Sequence, residues 1–198
     1  MSGCLSAYYS TMEKFGVEKR DILVDRVEEA KEAQHDASEQ FESALEQFTD
    51  FTQFKGGDLQ EQYTKLKKSF EKSESRAEKV KTKIEGVEKV GTALFKEWKA
   101  EIAQYSDPSF KTKSQANLKQ TQSQYNRLLS AMKKSESRID PVLDAFRDRV
   151  LYLKHNLNAR ALSSLQGDLA SVKSDVSLLI KDMQTAIKEA DGFIQSVK

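Results

Sequence analysis

The chain has 198 residues, of which only 8 are Gly and 2 Pro, with 32% charged and 38% hydrophobic residues. So few breakers and so modest an apolar content argue against a sheet-rich or thick globular fold and favour helices that each bury one stripe. A net charge of +1 excludes a molecule-wide field that would gather nucleic acid, and no apolar run reaches the roughly 18 residues of a membrane span.

Residues 1–17 read as a flexible N-terminal tail, and residues 18–198 as a single helical-bundle domain. The tail opens MSGCLSAYYS. Cys4 is the one cysteine, so no intrachain disulfide is possible. Ser2-Gly3-Cys4 resembles the end of a bacterial lipobox, with Met1 where Leu usually stands, which makes Cys4 the candidate lipidation site.

From Leu23 the slots Leu23, Val27, Ala30, Gln34, Ala37, Phe41, Ala44, Phe48 and Phe51 alternate steps of four and three. That is a heptad seam with one polar slot, and it predicts a helix over 20–54. Gly56 or Gly57 is expected to end it in the left-handed conformation. Asp58 then caps a second helix over 58–105, with Glu61 completing a capping box. The slots of this helix run from Leu59 through Tyr63, Leu66, Phe70, Ser73, Ala77, Val80, Ile84, Val87, Gly91, Leu94, Trp98 and Ile102 to Tyr105. Asp107 and Pro108 are a natural cap and first helical residue for a third helix over 108–156. Pro141 lies inside that helix and is expected to kink it or divide it after Asp140. The Asn156/Asn158 pair predicts a turn into a fourth helix over 160–197; without that turn, helices three and four would form one rod whose overhang requires a partner chain. The fold class is therefore all-α, an elongated antiparallel bundle or coiled coil of three to four long helices.

Charge is unevenly distributed. Up to Gly57 there are 6 Lys+Arg against 12 Asp+Glu, while residues 108–158 hold 10 against 4. Either these two stretches pack side by side, or the second offers a basic face to anionic lipid. The candidate membrane-facing residues are Lys111, Lys113, Lys119, Arg127, Lys133, Lys134, Arg147 and Arg149.

The pentapeptide KSESR occurs at residues 72–76 and again at 134–138. Folding the second and third helices as a hairpin places opposite each other residues whose numbers sum to about 212. Glu74 then faces Arg138, Arg76 faces Glu136, and Ser73 and Ser135 lie in the seam. These charges read as register-setting pairs; the alternative is a duplicated ligand site on Arg76 and Arg138.

No catalytic, cofactor-binding or metal-binding residues are assigned. His35 and His155 stand alone, no paired zinc-ligand spacing occurs, and Gly56–Gly57 lacks the strand and the Lys-Ser/Thr of a phosphate loop.

The stretches SAYYSTMEKFGVEKRDILVDRVEEAKEAQ and YLKHNLNARAL resemble a family of uncharacterised bacterial envelope proteins, most of them lipoproteins with a domain of unknown function. The resemblance covers nearly the whole chain. It implies export, lipidation at Cys4 and, from Leu5 in place of Asp, a periplasmic protein anchored to the outer membrane. The expected function is a non-enzymatic, lipid-anchored scaffold or adaptor of the envelope. The alternative is a membrane-curving module of the BAR type; a small-ligand carrier or enzyme ranks below both. Expected partners are an envelope protein or an anionic membrane surface, with a homodimer possible and no nucleic acid or cofactor.

Overall fold

The computed structural model describes residues 18–197. The tail expected over residues 1–17, and Cys4 within it, lie outside the described residues. Four α-helices follow one another: α1 Lys19–Thr52, α2 Leu59–Ile102, α3 Pro108–His155 and α4 Ala159–Val197. Each packs on its chain neighbours, and α4 returns to α1, giving an up-down-up-down bundle. One continuous apolar core runs through all four helices. At 44 residues, α2 is about 66 Å long.

The heptad seam of α1 is buried at every predicted slot, Gln34 included. Its small residues, Ala30, Ala37 and Ala44, are all buried and let the neighbouring helices approach. In α2 the pattern holds from Tyr63 to Gly91, with Leu94 and Trp98 half-buried. At Gly91 a Cβ would lie 2.3 Å from the Tyr125 ring, so the glycine is the hole into which that knob fits. The Tyr125 ring meets Phe95 and Phe193 edge-on, at 5.1 and 6.2 Å between centroids.

Asp58 accepts hydrogen bonds from the backbone N–H groups of Gln60 and Glu61. The reciprocal half of the capping box is replaced by a Glu61–Lys65 ion pair at 2.8 Å. Asp107 accepts from the Ser109 N–H at 2.7 Å, with Pro108 as the first residue of α3. Asn156 and Asn158 do make the last turn: the Asn156 side chain donates to the Tyr152 carbonyl and the Asn158 side chain accepts from the Ala161 N–H. The chain thus folds back and no rod overhangs at this end.

Three expectations are corrected and one is narrowed. α1 ends at Thr52, before Gly56; Gly57, with φ +117°, takes the left-handed conformation in the loop instead. α2 ends at Ile102, which leaves Tyr105 exposed beyond it. Of the two outcomes expected at Pro141, a kink or a division, the division does not occur: α3 is continuous across it. Its exposed position leaves the Ser137 carbonyl, deprived of its usual donor, on the solvent side. Finally, the acidic and basic stretches do not pack side by side. In this topology α1 and α3 are diagonal, and they meet across the core through Gln34–Ser135 and the Phe48–Phe146 ring pair.

Candidate functional site

The lysines and arginines of α3 divide into two groups. Four of the eight candidate membrane-facing residues are held by carboxylates of the bundle. Lys133 bridges Glu88 and Glu136, both at 3.1 Å. Lys134 binds Asp182 at 2.8 Å, Arg147 binds Glu74 at 2.9 Å, and Arg149 binds Asp168 at 3.0 Å. Burial alone would push the Lys133 ammonium down; the hydrogen bonds to Glu136 and Glu88 outweigh it and hold the group above its ordinary value. Arg147 is likewise raised, first by its hydrogen bond to Glu74. The other four, Lys111, Lys113, Lys119 and Arg127, form no ion pair among the described residues. Lys113 instead lies over the Phe110 ring, 6.0 Å from its centroid.

The free cations lie in two places. Lys119 and Arg127 line an open groove of about 760 Å³ between α3 and α4, together with Lys134, Asp182 and Glu189. That lining mixes both signs of charge. Lys111 and Lys113 stand on the first turns of α3, at the α2–α3 hairpin tip. A second groove, about 570 Å³, lies just inside the tip, where Leu23, Trp98, Gln120, Phe193 and Val197 bring all four helices together.

The KSESR copies are on neighbouring helices, and Ser73 and Ser135 are both buried. The expected partners are wrong. Glu74 binds Arg147, Arg76 binds Asp36 at 2.8 Å, Glu136 binds Lys133, and Arg138 binds Asp182. The reason lies in side-chain direction. Core groups keep the predicted register, since Trp98 donates to Ser114 and Tyr125 to the Val87 carbonyl. The flanking pairs Glu74–Arg147, Lys81–Asp140 and Glu88–Lys133 all sum to 221 instead. Helical side chains slant toward their own N-termini, so in an antiparallel pair two long ones meet about one turn later in both chains.

Asp182 was not legible as a site residue. It sits on the core edge of α4 between Leu179 and Met183, nearly buried, and receives both Lys134 and Arg138. Burial raises its carboxyl, but the hydrogen bonds from Lys134 and Arg138 overcome this and hold it below the usual range. A lone acid beside an apolar slot was the available signal.

His35 is exposed, with Glu39 3.8 Å away, and His155 lies in the last turn of α3, where a cation suits the helix dipole. Among the described residues no three His, Cys, Asp or Glu side chains cluster as a metal site, and no helix is long and apolar enough to cross a membrane.

With that geometry in place, comparison with known proteins adds one match. A model for a family described as protein of unknown function, DUF2959, matches residues 8–197. The chain belongs to the DUF2959 family. The envelope-family resemblance is thus supported at the level of an uncharacterised family of unknown function. No match to a curated protein was found. In this DUF2959 chain the matched region includes all four helices and extends into the residues before Glu18.

Proposed function

We propose that this DUF2959 protein is a non-enzymatic, lipid-anchored scaffold or adaptor of the bacterial envelope, held in the outer membrane through Cys4 and projecting into the periplasm. The observation that carries the reading is the combination of Ser2-Gly3-Cys4 with a bundle entered at one end. Glu18 lines a groove with Glu97, Trp98 and Glu101 near the α2–α3 tip, so a tether at Cys4 would hold by that end a bundle whose helix α2 is roughly 66 Å long. A rod of this kind, with a continuous core and a charged surface, suits spacing or bridging of envelope components.

The test is made in the native host with the natural leader in place. Wild-type protein should fractionate with membranes and carry a lipid on Cys4 by mass spectrometry, while Cys4→Ser should move to the soluble periplasm. An unmodified Cys4 in membrane-extracted protein would end the reading.

A second reading, a curvature module binding anionic lipid along α3, is favoured by one observation: Lys119 and Arg127 have no carboxylate partner among the described residues. Sedimentation of unlipidated protein with anionic vesicles checks it. Strong binding at low salt that collapses at high salt is expected of such a face.

A further inference from the structure

The bundle is uneven at one end. Lys19 at the start of α1 binds Glu97 of α2 at 2.9 Å, and Val197 at the end of α4 lines the same groove as Gln124. The rung formed by the Trp98 indole N–H and the Ser114 hydroxyl, at 2.9 Å, therefore marks the last level at which the four helices run together. Beyond it, among the described residues, only α2 and α3 continue: α2 for about 6 Å from Trp98 to Ile102, and α3 for about 9 Å from Ser114 back to Pro108.

This tip is exposed at almost every position from Lys99 to Lys113; Ile102 is buried and Lys111 half-buried. Yet it carries aromatic rings. Phe110 is 60% exposed and Tyr105 45%, placing both among the few large hydrophobic side chains that the described residues leave in solvent. Around them stand Lys99, Lys111 and Lys113, against the carboxylates Glu101 and Asp107, the latter bound to the Ser109 N–H. An apolar ring beside a long cationic side chain is the composition of a membrane interface, where rings sit at headgroup level and ammonium groups reach the phosphates.

The end of the bundle that bears the tip is also the end at which the chain enters it. Cys4 precedes Glu18 by fourteen residues, a reach of at most roughly 50 Å. We infer that the α2–α3 hairpin tip is a second membrane contact: Phe110 and Tyr105 seat in the interfacial layer of the leaflet that holds the anchor. This rests on the reading of Cys4 as the lipid site and adds to it. Two attachments at one end fix the direction of the rod, where a lipidated tail alone would let it swivel.

The tip holds three cations against two carboxylates, so the rings dominate and salt should matter little. That separates it from the α3 flank, whose binding would be electrostatic. The experiment uses unlipidated full-length protein and vesicles of phosphatidylethanolamine with phosphatidylglycerol, in flotation assays. Wild type should float with the vesicles, and binding should change less than about twofold between low and high salt. Tyr105→Ser with Phe110→Ser should reduce partitioning by roughly fivefold or more, whereas Lys119→Glu with Arg127→Glu should leave it unchanged. All four positions are exposed, and circular dichroism confirms that the variants fold. No flotation of wild type, equal flotation of the tip variant, or loss confined to the flank variant would each overturn the inference. Because no lipid is attached here, this assay reads the tip alone, and the fractionation of Cys4→Ser reads the anchor alone.

Discussion

Tyr125 and Gly91 show how much a single contact specifies. The ring is buried, its hydroxyl reaches the Val87 carbonyl at 3.4 Å, and burial, aided by Glu88, pushes its pKa up to about 12. In Gly91→Ala the new methyl would overlap the ring, and overpacking of this kind costs ~1–3 kcal/mol. The better helix propensity of alanine returns up to ~1 kcal/mol. Urea denaturation should therefore show a net loss of about 1–2 kcal/mol, and a Tyr125→Leu background should shrink it. Gln34 presents the opposite case. It is fully buried and donates to Ser135 at 2.7 Å, while its own carbonyl oxygen has no partner among the described residues. Gln34→Leu keeps the volume and removes the orphan acceptor, while Ser135 retains its bond to the Met132 carbonyl. Stability should rise by about 1 kcal/mol; a fall would mean that the amide is satisfied by water. The spacing alone marked Gln34 as the polar slot of the α1 seam. Its partner was not readable, because Ser135 lies on the diagonal helix and no local pattern connects them.

At the scale of the element, most boundaries were legible, because caps are local chemistry. Asp58, the Asp107–Pro108 pair and the Asn156/Asn158 pair each act within four residues of themselves. The overruns at Gln53 and Tyr105 have one cause: apolar residues at Phe54 and Tyr105 continue the spacing after the packing that rewards it has ended. Nothing local announced that Gln166 of α4 would donate to the Thr52 carbonyl at 2.7 Å and help close α1. The ion-pair partners were illegible for the slant described above, so the cross-helix test moves to the true pair. Glu74→Arg should lose at most about 1 kcal/mol, and Arg147→Glu in the same chain should restore part of it, whereas Arg138→Glu should not. Pro141 offers a larger effect. An exposed proline within a helix costs up to ~3 kcal/mol relative to alanine. Pro141→Ala should raise the denaturation midpoint without changing the helical content seen by circular dichroism.

Across the whole molecule, charge is matched between neighbours on the ring of helices. Acids of α1 meet α2 at Asp36–Arg76 and Glu29–Lys83, and cations of α3 meet α4 at Arg149–Asp168 and the Asp182 cluster. The net imbalance of α1 and α3 was visible in the sequence, but which sides of the bundle absorb it depends on helix order around the core, which composition does not encode. Asp182 is where this matching can be measured. Its carboxyl is held below the ordinary range in the folded chain, while in the unfolded chain it returns to about 3.9. A depressed folded value means that the contribution of this group is complete above the unfolded value and lost as pH falls through the folded one. Asp182→Asn should therefore be less stable than wild type at neutral pH, and the gap should close progressively as pH drops below about 4. Urea midpoints taken across that range decide the matter. A gap that stays constant with pH would assign the loss to packing at the α4 edge, and Lys134 and Arg138 would then count as surface groups that happen to lie near it.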